Sequence, residues 1–171
     1  MRHRLIAPFL LTLAALPAGA QSVRLVEAGI DCPDEAVVER VPAPGTAAGY
    51  VDIVEGLTLD ARGRRLPMEI GYGMGIATRL KGGLAPVAVT MTTTHPPMGP
   101  EGVTRQTYET TLVPGDDHLR VYRLDYDYEL VPGRWTLGVE IDGTPQLSVA
   151  FEVVDGPVPG MELLCLEGLS S

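Results

Sequence analysis

Several groups of residues in this chain have the types and spacing that could do chemistry. The first is His95 in the run Thr94-His95-Pro96-Pro97-Met98, with Met91 a few residues earlier. An imidazole beside thioethers is a ligand set that suits copper in an exported protein. Against it, a stiff proline-rich exit from a strand is a place where His95 orders the turn and Met98 covers the edge of the core. The only other histidine beyond the first few residues is His118, far along the chain. A second group is acidic: Asp116-Asp117, then Asp125, Asp127 and Glu129 in alternation. Alternating carboxylates on one strand face could attract calcium, but no D-x-D-x-D-G loop is present, and a solvated charge row beside Tyr126 and Tyr128 is the plainer reading. The third is Gly71-Tyr72-Gly73-Met74-Gly75. It lacks the G-x-G-x-x-G spacing of a dinucleotide loop. On a strand these glycines share a face, onto which a bulky side chain from an opposite sheet can pack. Hydrolysis would need a nucleophile with a placed base, or two carboxylates in a cleft; no G-x-S-x-G or comparable signature occurs, which leaves a dispersed site as the hydrolase reading.

The chain has two cysteines, Cys32 and Cys165, and their reading depends on where the chain works. Arg2 and Arg4 precede an apolar run from Leu5 to Leu16, and Ala18-Gly19-Ala20 forms a small-residue cleavage site before Gln21. This is the pattern of a secretory signal peptide over residues 1–20, and the run is short of the roughly 20 residues that span a bilayer. The expected location is periplasmic or secreted, with no membrane span. In an oxidising compartment Cys32 and Cys165 are expected to pair, restricting the unfolded chain by roughly 4 to 5 kcal/mol in the loop-entropy model. A redox-active or metal-binding pair is the competing reading, without a C-x-x-C spacing to support it.

The elements that must position these groups are short strands punctuated by Gly and Pro. Val87, Val89, Met91 and Thr93 alternate with Ala88, Thr90, Thr92 and Thr94; Trp135, Leu137, Val139 and Ile141 alternate with polar neighbours up to Asp142-Gly143, a hairpin turn, after which Leu147, Val149, Phe151 and Val153 resume the pattern. Further strands are expected over Val23 to Gly29, Thr46 to Val54, Met68 to Leu80, Val103 to Leu112 and Leu119 to Leu130. In the last, apolar parity slips between Val121 and Tyr122, which calls for a bulge or a change of sheet. Asp31 to Pro44 reads as a short helix or loop, and the tail after Pro159 as a loop leading to Cys165. About eight strands in one domain, residues 21–171, predict an all-β, immunoglobulin-like antiparallel β-sandwich.

Within that pattern, Leu130-Val131-Pro132-Gly133-Arg134-Trp135 resembles the corner before the penultimate strand of immunoglobulin-like modules, with Trp135 where a Tyr usually anchors the turn after Pro132-Gly133. Together with Ile70-Gly71-Tyr72-Gly73-Met74-Gly75, Thr94-His95-Pro96-Pro97-Met98 and the closing hairpin, it resembles a family of exported bacterial proteins known as domain of unknown function 3859. The resemblance covers roughly Glu27 to Val154. It implies a secreted β-sandwich and supplies no catalytic residue.

The formal net charge is -9, and Lys and Arg are scattered among acids. Phosphate neutralisation needs them clustered, so nucleic acid is not an expected partner. The expected function is a non-catalytic binding module, without cofactor, for a protein, peptide or glycan. The alternatives are a periplasmic copper-binding protein using His95 and Met98, and a hydrolase with a dispersed site.

Overall fold

Runs of alternating apolar residues closed by Gly or Pro form strands in the computed structural model, which describes residues 21–33, 39–54 and 56–168. The expected leader, residues 1–20, lies outside the described residues, as do residues 34–38 of the segment expected as a helix or loop. The first long strand is β1, Ser22–Asp31, followed by a hairpin of β2, Glu39–Pro42, and β3, Tyr50–Ile53. Two very short strands follow, β4, Ala61–Arg62, and β5, Arg65–Pro67. The body continues through β6, Gly73–Lys81, β7, Val87–Met98, β8, Val103–Leu112, β9, Asp117–Arg123, β10, Gly133–Ile141, and β11, Thr144–Val154. A helix, α1, Met161–Gly168, closes it.

Two sheets face each other, one in the order β4-β1-β6-β9 and one in the order β5-β11-β10-β7-β8. The chain crosses between sheets from β6 to β7, from β8 to β9 and from β9 to β10, and ends in the β10–β11 hairpin, which is the immunoglobulin-like arrangement. Asp142 (φ 49°) and Gly143 (φ 72°) turn that hairpin as expected. The antiparallel expectation fails at one edge, where β5 runs parallel to β11. Three residues are too few to show a period, so β5 was not visible in the pattern; β2 likewise replaces part of the helix or loop expected before Pro44. The tail after Pro159 is a helix rather than a loop, with Met161 and Cys165, one turn apart, both buried.

The sheets enclose two apolar clusters. The larger gathers Ile30, Leu66, Met74, Leu124, Trp135 and Phe151 with the Cys32–Cys165 disulfide, whose Cα atoms are 5.5 Å apart. The smaller joins Val23, Leu80, Val89, Met91, Leu112 and Val139. Trp135 is fully buried, and its indole N–H donates to the Val131 carbonyl at 3.1 Å, closing the corner that Pro132 and Gly133 open. A side chain at Gly133 (φ 127°) would run into Pro96, so the corner and the His95 loop are packed together.

Gly73 and Gly75 do share a face, but not the one facing the other sheet. Met74 and Ile76 point into the sandwich, and a side chain at either glycine would strike Val121 of the neighbouring strand, Asp31 or Leu59. The covering group is therefore Leu59, from the segment before β4, on the outer face. Gly71 stands apart, in the turn before β6.

Candidate binding cleft

Each sheet of a sandwich ends in a strand with one unpaired edge, and here β8 and β9 hold those positions on the same side of the molecule. Their inward-facing residues line a cleft of about 500 Å³. From β8 come Gln106, Tyr108, Thr110 and Leu112; from β9 come His118, Arg120 and Tyr122. The β2–β3 hairpin crosses the opening and contributes Tyr50 to Ile53. Cross-strand bonds of 2.8 and 3.1 Å from Arg40 to Asp52 hold the hairpin, and the Arg40 guanidinium lies 3.7 Å from the Tyr50 ring centroid. Its turn is tied to β8 by Thr107 N–H to Gly45 carbonyl, 2.9 Å, and by Ala47 N–H to Gln106 Oε1, 2.7 Å. On the far side the Tyr50 and Tyr126 hydroxyls meet. Four of the six tyrosines line this one cleft, which concentrates aromatic surface where a partner could reach it.

Two buried polar assemblies form its walls. In the first, Gln106 Nε2 donates to His95 Nε2 at 3.2 Å and to the Tyr122 hydroxyl at 2.8 Å, and Tyr122 in turn donates to Glu129 Oε1 at 2.6 Å. Glu129 Oε2 accepts the Asp125 and Tyr126 amides at 2.7 and 3.1 Å. His95 Nδ1 donates to the Pro96 carbonyl at 2.8 Å, which fixes the neutral tautomer with Nε2 as acceptor. Trp135 covers the chain from the core side, its ring 4.7 Å from His95 and 5.3 Å from Tyr122. Burial lowers the His95 pKa, raises that of Glu129 against its three donors, and pushes the Tyr122 hydroxyl well up.

The second assembly is Arg120 alone. It is only 7% exposed, and its guanidinium donates to Thr93 Oγ1 at 2.6 Å, to the Thr92 carbonyl at 3.1 Å and to the Gly138 carbonyl at 3.4 Å. All three acceptors are neutral, Nε has none, and no carboxylate pairs with it among the described residues. Burial pulls its pKa down for want of a counter-charge.

The structure brings together some expected residues and separates others. His95 and Met98 are both buried, and both ring nitrogens of His95 are engaged. Among the described residues no three His, Cys, Asp or Glu side chains gather to hold a metal. His118 stands on β9, in the other sheet from His95, and bonds the Val113 backbone. The acidic row is corrected: β9 ends at Arg123, and Asp127–Glu129 form a 3-10 turn, so Glu129 turns inward while Asp125 and Asp127 stay exposed. The parity slip disappears as well. Arg120, Tyr122 and Leu124 face inward throughout, and Leu119 and Val121 face out, so neither a bulge nor a change of sheet is needed. Arg120 was missed because an arginine between two apolar residues reads as the exposed position. The signal that could have found it is its shared parity with Tyr122 and Leu124.

A family model described as domain of unknown function 3859 matches residues 20–153. Among solved structures, an immunoglobulin-like protein from Pseudomonas aeruginosa is 21% identical, with 75% of this chain and 98% of that one covered and a TM-score of 0.47. An alkylpurine DNA glycosylase from Pseudomonas fluorescens, bound to DNA containing an abasic site analogue, is 14% identical over 74% of this chain and 30% of its own, TM-score 0.36. A beta-glucosidase from Listeria innocua in complex with glucose is 10% identical over 77% and 16%, TM-score 0.35. No curated protein matches. Among the described residues no helix is long and apolar enough to cross a membrane.

Proposed function

The chain belongs to the family called domain of unknown function 3859, and from the cleft it builds we propose that it is an exported, non-catalytic binding module that holds its ligand between β8 and β9. The observation that carries this reading is the clustering of Tyr50, Tyr108, Tyr122 and Tyr126 with a buried, uncompensated Arg120 along one cleft. Aromatic faces with a few placed polar groups are what a recognition site needs. A non-catalytic role is supported by Glu129, the buried acid of the site: three N–H and O–H donors occupy its oxygens, leaving it as an anchor for the turn rather than a base. Export is supported by the leader pattern before Gln21 and by the disulfide.

Affinity capture from the exported fraction tests this, with the tagged protein beside two variants. Tyr126→Ala removes an aromatic from the cleft mouth, and Leu84→Ala changes a fully exposed residue in the turn between β6 and β7. The expected result is a co-purifying ligand lost with the first substitution and kept with the second. Capture unaffected by Tyr126→Ala would remove the cleft from the reading. N-terminal sequencing of the same material should begin at Gln21, and retention of Met1 would argue against export.

A further inference from the structure

Arg120 is, among the described residues, the one guanidinium that is both deeply buried and bonded only to neutral oxygens. A cation removed from water without a counter-charge is costly, and two carbonyls and a hydroxyl recover only part of that cost. Its Nε–H has no acceptor among the described residues and is shut off from solvent, and it lies on the edge of the planar group that takes a carboxylate in a two-point contact once that edge opens to the cleft. The residue forms part of the cleft wall, with the Tyr108 ring centroid 5.4 Å from its guanidinium carbon.

The surroundings select among anions. Asp52, Asp117 and Asp125 stand along the same cleft, the first two each bonded through both oxygens, to Arg40 and Arg79. The arginines offset the charges of Asp52 and Asp117, so among the described residues it is Asp125 that weighs against a phosphate or sulfate carrying two charges, while its oxygens can accept the hydroxyl donors of a sugar. The tyrosine rings offer apolar faces for a ring of similar size. A volume of about 500 Å³ lies within the range of small-ligand sites and is too small for a folded partner. Addition of a peptide strand along β8 is disfavoured, because the Thr107 amide is already taken by the Gly45 carbonyl.

Building on the binding reading above, we propose that the cleft takes an acidic sugar residue of the uronic-acid class, its single carboxylate on Arg120 and its ring against the tyrosines. The probes are trisaccharides of galacturonate, glucuronate and mannuronate, their methyl esters, and the matching neutral trisaccharides, titrated into the exported protein by calorimetry and by NMR. The expected result is saturable binding of at least one acid, with its ester and neutral counterpart about tenfold weaker or more, and with shifts centred on Tyr108, Arg120 and Tyr122. Arg120→Met should lose the same factor with its denaturant midpoint retained. If that variant does not fold, the acid and ester pair on the unaltered protein decides the matter.

Equal binding of acid and ester, or no binding of any uronate, overturns the proposal. So does a peptide with a free C-terminal carboxylate that binds through Arg120 where the uronates do not. These results leave the cleft reading standing wherever Tyr126→Ala still abolishes capture. A uronate that binds with shifts confined to the outer sheet faces would overturn both.

Discussion

His95, Gln106, Tyr122 and Glu129 form a closed polar chain, and Arg120, two residues from Tyr122 on the same strand, is an open one. Both lie between the sheets: the first runs from His95 on β7 through β8 and β9 to the 3-10 turn, and the second reaches from β9 to β7 and β10. In the first, the donors and acceptors form one continuous sequence from the Pro96 carbonyl to the Tyr126 amide. In the second, a full charge is left with neutral partners and one N–H free. Burial alone therefore does not separate structural from functional polar groups; whether the hydrogen bonding is complete does.

The comparison can be broken most forcefully at Trp135, whose ring backs the closed chain. Trp135→Ala should destabilise by roughly 3 to 5 kcal/mol, seen as a lowered denaturant midpoint. An unchanged midpoint would mean that the corner does not organise the core. Glu129→Ala should cost about 1 to 3 kcal/mol, because it strands the Tyr122 hydroxyl and two backbone amides at once. Arg120→Met should behave otherwise, with stability within about 1 kcal/mol of the parent, since the desolvation cost given back by removing an unpaired buried charge offsets the bonds lost to Thr92, Thr93 and Gly138. If Arg120→Met proved as damaging as Glu129→Ala, the distinction between the two assemblies would fall.

The smallest effect concerns pH. Burial holds His95 below its ordinary 6.5, so between that depressed value and 6.5 the unfolded chain takes up a proton that the folded one does not, and stability falls as pH drops through this window. Glu129 acts in the opposite sense: burial holds it above 4.5, so the folded chain keeps a proton that the unfolded one releases, and stability falls as pH rises from 4.5. His95→Gln removes only the first slope. The thermal midpoint of the parent, compared with that of His95→Gln from about pH 7.5 to about pH 5, should show the parent losing ground on acidification. A constant gap between the two would show that His95 titrates normally.

What could be read from the sequence was what is written locally. The Pro132-Gly133 corner, the Asp142-Gly143 turn and the alternation of β7, β10 and β11 depend on near neighbours in the chain and appear where expected. The pairing of Cys32 with Cys165 followed from their being the only two cysteines. The cleft was not legible, because it exists only where two sheet edges and a hairpin meet, and its key residues mimic surface chemistry. Glu129 looked like one of a row of exposed acids until the strand's end at Arg123 turned it inward, and Arg120 looked like an outward charge between Leu119 and Val121. His95 was singled out for its metal-binding potential, yet its bonding partners, Gln106 and the carbonyl of Pro96, make it part of a wall.

The disulfide has a mechanical consequence. It joins positions 133 residues apart, so tension applied between the two chain ends runs through the sulfur bridge and bypasses nearly every strand. Among the described residues β1 is the one strand before Cys32, and it lies between β4 and β6, registered against β6 from Ser22↔Lys81 to Asp31↔Gly73. A tether at the N-terminal side would load the pairing of β1 with β6 and β4, while the cleft strands, inside the covalent loop, would keep their spacing under strain. A nick anywhere between the cysteines would likewise leave the two pieces fastened together.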